Sequence, residues 1–203
     1  LSDIGGEFAS WSADGRTVHW SIGNAFVSYD LDAAQGNEAY RPAERRVTVS
    51  AQRDIPQGTV VLRGGRVITM RGDEVIENAD VVIRNNRILA VGPSGSVDVP
   101  GGAEIIDMSG RTIVPGFVDT HAHLRARGVH REDIWSFAAN LAYGVTTTRD
   151  PQTGTTDVLS YEDMVRSGAV LGPRIYSTGP GVFSSENIEN LEHARRIMKR
   201  SAD

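Results

Sequence analysis

The most informative segment of the chain reads Val114-Pro-Gly-Phe-Val-Asp-Thr-His-Ala-His-Leu124. Its apolar first half predicts a β-strand over residues 112–119, and two histidines follow at the carboxyl end of that strand. Because side chains alternate along an extended chain, His121 and His123 are expected on one face. Two neighbouring imidazoles can chelate one cation, and imidazole suits zinc, iron or nickel. An H-x-H pair also arises by chance, but the preceding strand and the nearby Asp119 favour a metal site.

Strands and helices alternate in the sequence after residue 112. Strands are predicted at 112–119, 145–149 and 174–178, and helices at 131–143, 156–167 and 188–200. This order indicates a parallel sheet built from βα units. A closed eight-stranded βα barrel needs about 250 residues. Residues 113–203 would therefore supply only the first part of a barrel, and we expect the fold to continue beyond Asp203.

The sequence before residue 112 indicates short strands. In residues 58–112 the strands flank the turn pairs Gly64-Gly65, Asn85-Asn86 and Ser109-Gly110, a pattern typical of a sandwich or barrel-like module. Residues 32–57 are interpreted in two parts. Residues 32–46 form a connector, and the first strand of that module follows. Residues 1–31 contain three predicted strands around an Asp14-Gly15 turn.

Composition excludes several classes of function. The formal net charge is −5, from 21 Lys and Arg against 26 Asp and Glu, which argues against nucleic-acid binding. The chain has no Cys, so disulfides, thiolate nucleophiles and thiolate metal sites are excluded. No apolar run approaches the length of a membrane span. A nucleotide-binding domain and a triad hydrolase are disfavoured, because no glycine-rich phosphate loop or G-x-S-x-G elbow occurs.

Several ordered motifs resemble one enzyme family. Residues 115–123 resemble the first barrel strand of the amidohydrolase superfamily of metal-dependent hydrolases, and residues 143–150 and 173–176 resemble strands 2 and 3 of its imidazolonepropionase- and prolidase-like branch. The resemblance extends over residues 58–200. It implies a β plus α/β fold: a composite β-sandwich over residues 58–112, followed by the first three βα units of a (β/α)₈ TIM-type barrel in an incomplete chain.

The resemblance also implies a function. His121 and His123 would be metal ligands on strand 1 for one or two divalent ions, with zinc favoured. The reaction would be hydrolysis of carbon–nitrogen bonds in amides, cyclic amides or dipeptide-like compounds by a metal-activated water. The substrate would be a small molecule or a short peptide. The family's remaining ligands and its proton-shuttling Asp lie on later strands, so no catalytic residue is expected here and this stretch alone should be inactive.

Three further residues have two open interpretations each. Asp119 either orients a ligand imidazole or forms a hydrogen bond at the strand end. Arg125 completes an H-x-H-x-R pattern, which in dihydroorotase-like members holds a substrate carboxylate, although a solvated loop arginine is favoured. Asp150 either contacts substrate at the end of strand 2 or is a turn residue before Pro151.

The first residues carry a second resemblance. Residues 8–16 resemble the repeat of TolB-like β-propellers, so residues 1–31 would be the end of a propeller, and His19 would pack inside a blade. A propeller before the barrel slightly favours a periplasmic or secreted protein, and a cytoplasmic location stays open. The alternative function is a non-catalytic binding protein with a propeller and a degenerate barrel.

Overall fold

The computed structural model describes residues 5–124, 134–153, 157–183 and 187–200. By their internal contacts they form two compact units, one comprising Leu1–Gln52 with Val118–Asp203 and the other Arg53–Phe117. No helix in these ranges is long and apolar enough to cross a lipid bilayer.

The amino-terminal part of the first unit is an antiparallel sheet whose strands follow one another in chain order. Its strands are β1 (Glu7–Trp11), β2 (Thr17–Ile22), β3 (Ala25–Asp30) and β4 (Ala43–Arg46). The short helix α1 (Leu31–Ala34) lies between β3 and β4 in the chain. Gly15 has a φ of +68°, which lets the chain reverse between β1 and β2. The side chains of Val18, Trp20 and Val27 form the core of this sheet.

The prediction for residues 32–46 is wrong in one respect. This segment is not a plain connector, because β4 forms a fourth strand that pairs with β3 from Ala25↔Arg46 to Ser28↔Ala43. All four residues of β4 are exposed and three of them are charged. A strand without an apolar face leaves no period-two signal in the sequence, so only the pairing reveals it.

The second unit contains one mixed five-stranded sheet. Its strands are β5 (Thr59–Ile68), β6 (Val75–Arg84), β7 (Arg87–Pro93), β8 (Glu104–Asp107) and β9 (Thr112–Ile113), in the order β7-β6-β5-β8 with β9 also beside β5. The predicted hairpin at Asn85-Asn86 is confirmed, since β6 and β7 pair across it and Asn85 has a φ of +55°. A second, facing sheet is not found among the described residues, so the sandwich stays a prediction.

Two strand boundaries in this unit differ from the prediction. Gly64-Gly65 does not separate two strands: β5 runs through it with irregular pairing to β6, and Gly64 takes a φ of +75° there. Such an interruption of the register is typical of a β-bulge, which bends the strand and increases its local twist. The segments beside Ser109-Gly110 both pair with β5, in parallel, rather than with each other.

A buried carboxylate stabilises the second unit. Asp80 is 1% exposed, and its two oxygens accept hydrogen bonds from the backbone N–H groups of Gly64 (3.1 Å) and Gly95 (3.3 Å). Burial raises the pKa of Asp80, but hydrogen bonds from Ser94, Gly64 and Gly95 and the charge of Arg63 outweigh it, so the pKa lies below its usual value. The ionised form is therefore the one that fits the fold.

The carboxyl-terminal part of the first unit has a three-stranded sheet with helices between its strands. Its elements are β10 (Phe117–Asp119), α2 (Trp135–Ala142), β11 (Val145–Asp150), α3 (Asp157–Arg166), β12 (Arg174–Ser177) and α4 (Leu191–Arg200). The strand order is β10-β11-β12, and β11 and β12 are parallel. The alternation predicted from the sequence is confirmed, while closure into a barrel stays a prediction.

The strand predicted over 112–119 is divided in the structure. β9 pairs with β5, and β10 belongs to the three-stranded sheet. Pro115, between them, has no N–H to donate to a ladder, which favours a break at this place.

The helices α2 and α3 pack on the three-stranded sheet. Their core contains Phe137, Val158, Tyr161 and Val170 together with Ile175 of β12. The rings of Phe137 and Tyr161 meet edge to face at 5.8 Å, a favourable aromatic geometry.

We predict that Asp80→Asn lowers the free energy of unfolding at pH 7 by about 1–3 kcal/mol, because the buried side chain loses its charge and one of two backbone N–H groups loses its acceptor. The lowered pKa means that the carboxylate stabilises the fold above the unfolded-state pKa, and that this stabilisation is lost as pH falls through the folded-state value. Urea unfolding at pH 7 and at acidic pH measures it: the difference between wild type and variant should shrink in acid. An equal difference at both pH values contradicts the role of the charge.

Candidate metal centre

The two histidines lie side by side directly after β10. The ring centroids of His121 and His123 are 5.0 Å apart, with the rings nearly perpendicular at 83°. Both side chains are exposed, whereas Ala122 between them is buried and Leu124 packs against the helical core. Exposure and burial therefore alternate along residues 121–124, and both imidazoles are on the exposed side of this segment.

The backbone of this segment is attached to the neighbouring strand. The N–H of Ala122 donates to the carbonyl oxygen of Arg149 at 3.0 Å, which extends the contact between β10 and β11 past the end of β10. The carboxylate of Asp119 accepts a hydrogen bond from the N–H of His121 at 3.0 Å. Among the described contacts, Asp119 thus holds the main chain of a histidine rather than its ring, and its role toward a metal ligand stays a prediction.

Asp150 is buried at the carboxyl end of β11. Its side chain is 1% exposed, and its oxygens accept hydrogen bonds from the N–H groups of Leu124 (2.7 Å) and Gln152 (2.9 Å). The Nδ1 atom of His123 lies 3.7 Å from Oδ1 of Asp150 and 3.4 Å from the carbonyl oxygen of Gln152. The observed role is support of the histidine segment; contact with substrate stays a prediction.

This supporting role was missed in the sequence. The available signal was the alternation of side chains along β11. Asp150 lies two residues after Thr148 and therefore on the same face, and Thr148 is in register with the core residue Ile175. A carboxylate on the covered face of a strand needs partners. One partner, Gln152, is local and fits the turn interpretation, but the other, Leu124, lies 26 positions earlier, which no local pattern shows.

The geometry of the pair fits a shared cation. Two imidazoles on one tetrahedral zinc, with Zn–N distances of about 2.0–2.1 Å, have ring centres ~5 Å apart, which matches the observed spacing. When Nδ1 of His123 donates to the carbonyl of Gln152, Nε2 keeps its lone pair for a metal. Within the described ranges no group of three or more His, Asp or Glu side chains surrounds a common point. The donor set is therefore suitable in type but supplies only two ligands.

Arg125, the remaining candidate, lies outside the described residues.

Comparison with known proteins gives related sequences along much of the chain. No protein-family profile matches it. An adenine deaminase from Rubrobacter xylanophilus is 35% identical over 82 residues, 40% of this chain and 13% of that protein. A dihydroorotase from Clostridioides difficile is 35% identical over 105 residues, 51% of this chain and 24% of the relative. An adenine deaminase from Paracoccus denitrificans is 30% identical over 131 residues, 64% of this chain and 21% of the relative.

Solved structures of related proteins also resemble this chain. A molinate hydrolase is 26% identical with a TM-score of 0.51, over 72% of this chain and 36% of the other. A protein described as an amidohydrolase is 25% identical with a TM-score of 0.50, over 61% of this chain and 32% of the other. These relatives support the amidohydrolase superfamily.

The fold comparison extends to more distant amidohydrolase-fold proteins. A Xaa-Pro dipeptidase shares the fold with a TM-score of 0.54 at 19% identity, over 71% of this chain and 44% of the other. The chain spans a quarter or less of the length of the curated relatives given above and less than half of these solved structures.

We predict that Asp119→Asn keeps metal binding by the histidine pair, whereas Asp119→Ala weakens it. An asparagine oxygen can still accept the N–H of His121, and alanine removes the acceptor. Competition of each purified variant with a zinc-chelating dye measures the affinity. Equal losses in both variants would show that the carboxylate acts through its charge and not through this backbone hydrogen bond.

Proposed function

We propose that this chain supplies the first two metal ligands of a metal-dependent hydrolase acting on carbon–nitrogen bonds in amides, cyclic amides or dipeptide-like compounds. The observation that carries the proposal is the pairing of His121 and His123, 5.0 Å apart at the carboxyl end of a strand. In βα barrels that end of the strands is where active sites form. The relatives, which include a dihydroorotase and a molinate hydrolase, support a hydrolase.

The architecture that we propose follows from the same comparisons. β10, β11 and β12 would be the first three strands of a (β/α)₈ barrel, and the mixed sheet of the second unit would be part of a composite sandwich. The relatives are four or more times longer than the segment that this chain matches. We therefore propose that the further ligands, a strand-4 carboxylate, two later histidines and a strand-8 aspartate, belong to regions beyond these residues.

The histidines and the aspartates of this chain would have different roles in holding a cation. A bound divalent ion, with zinc favoured, would supply Lewis-acid chemistry by lowering the pKa of a water molecule and polarising a carbonyl group. His121 and His123 would bind the ion through neutral ring nitrogens. The hydrogen bonds of Asp119 and Asp150 to the main chain would hold the backbone on either side of the histidine pair, with the two rings 5.0 Å apart.

The antiparallel sheet β1–β4 is proposed to be one blade of a TolB-like propeller. Four antiparallel strands in chain order are the composition of a propeller blade. A blade of this kind would recognise or admit a substrate rather than react with it. It is also the feature that the alternative function, a non-catalytic binding protein, would use.

We predict that the intact protein binds one or two equivalents of zinc and that the double variant His121→Ala/His123→Ala loses both the metal and the hydrolytic activity. Both imidazoles are among the proposed ligands, and their removal takes away two of the side chains that would hold the ion. Elemental mass spectrometry of the purified proteins gives the metal content. His193→Ala, which removes an imidazole on α4, is the matched control and should keep the metal.

Two outcomes would contradict this proposal. Retention of metal and activity in the double variant would remove the histidines from the site. Absence of metal from the wild-type protein, together with tight binding of a ligand that is not turned over, would favour the non-catalytic binding protein.

Residues 1–203 alone are predicted to show no metal-dependent hydrolysis. Two imidazoles fall short of the three protein ligands usual for catalytic zinc. An assay of this fragment with added zinc against amide and cyclic-amide substrates tests the expectation. Zinc-dependent turnover that His121→Ala abolishes would show that the fragment holds a complete site.

A further inference from the structure

We propose that Asp150 is a positioning residue for the metal site: it fixes the orientation and the tautomer of His123 through the main chain of Gln152. The inference rests on the proposed function in taking His123 as a metal ligand. It departs from the substrate-contact interpretation, because it assigns the carboxylate to the protein's own main chain.

The burial of Asp150 shows what holds it. A carboxylate that is 1% exposed is costly unless hydrogen bonds replace its lost water. Both oxygens have such bonds: Oδ2 accepts the N–H of Leu124 at 2.7 Å, and Oδ1 accepts the N–H of Gln152 at 2.9 Å. The carboxylate therefore connects the residue after His123 to the loop that follows β11.

The backbone of Asp150 adds a third connection. Its carbonyl oxygen accepts the N–H of Thr178, just after β12, at 3.1 Å. One residue thus joins the ends of all three strands of the sheet, at the edge where the histidines lie. A displacement of this side chain would loosen the histidine segment on one side and the β11 loop on the other.

The link to the imidazole runs through Gln152. Its carbonyl oxygen lies 3.4 Å from Nδ1 of His123, whereas Oδ1 of Asp150 lies 3.7 Å away, beyond hydrogen-bond distance. A carbonyl oxygen only accepts, so the contact selects the tautomer with hydrogen on Nδ1. Nε2 is then left with its lone pair on the exposed side of the ring, as metal-binding histidines require.

The chain contains a matched control for this arrangement. Asp80 is also 1% exposed, and its oxygens also accept two backbone N–H groups, those of Gly64 and Gly95. It lies in the other compact unit and contacts no histidine among the described residues. Asp80→Asn and Asp150→Asn therefore both replace a buried carboxylate that accepts two backbone N–H groups, and only the second should affect a metal site.

The first test measures zinc affinity of the intact protein by competition with a chelating dye. Asp150→Asn is expected to weaken zinc binding by roughly 10–100-fold, the usual effect of losing a partner that orients a ligand. Asp80→Asn should leave zinc affinity unchanged although it destabilises its own unit. Thermal unfolding of the metal-free proteins shows whether both variants are folded.

The second test needs no metal, and its first readout is made on the wild-type protein. In metal-free wild-type protein labelled with ¹⁵N-histidine, at a pH where the rings are neutral, ¹⁵N NMR distinguishes the two tautomers. His123, assigned by its absence from His123→Gln, should carry its hydrogen on Nδ1. In Asp150→Asn the population should shift toward the other tautomer, and in Asp80→Asn it should not.

The outcomes separate this proposal from the proposed function. A wild-type His123 with its hydrogen on Nε2, or equal zinc affinity in wild type and a folded Asp150→Asn, overturns the positioning role. Zinc binding that does not depend on His121 and His123 contradicts the proposed function instead. The tautomer of His123 in metal-free protein decides the positioning role in that case as well.

Discussion

The hydrogen bond from the N–H of Ala122 to the carbonyl of Arg149 is the contact on which the candidate site depends. It attaches the histidine segment to β11 beyond the last residue of β10. Ala122 is buried and Leu124 packs against the helical core, whereas both imidazoles are exposed.

The remaining interactions at this edge reinforce the same geometry. Asp119 holds the N–H of His121 from one side, and Asp150 holds the N–H of Leu124 from the other. The covered face beneath them is a core in which Phe137, Tyr161 and Ile175 are almost fully buried. A rigid hydrophobic layer under a polar strand end is a suitable support for ligands that must meet a metal at a fixed distance.

Sequence patterns predicted the elements that depend on local chemistry. The Asn85-Asn86 hairpin and the alternation of β11, α3, β12 and α4 follow from turn residues and apolar periodicity, and the structure confirms them. The patterns failed where the pairing of strands that are distant in the sequence determines whether a segment is a strand. β4 has no apolar face to reveal it, and the Gly64-Gly65 pair, which has the composition of a turn, lies inside β5 because its neighbours β6, β8 and β9 hold the strand together.

The same division applies to the site. The proximity of the two imidazoles could be predicted from period two alone, but the role of Asp150 could not, because its partner Leu124 is 26 residues away.

The central claim is that the two rings share one cation. Anomalous diffraction at the zinc edge, from crystals of the intact protein, tests it most directly. The account predicts a peak about 2.0–2.1 Å from one nitrogen of each ring; a zinc peak elsewhere, with His121 and His123 turned apart, would contradict it.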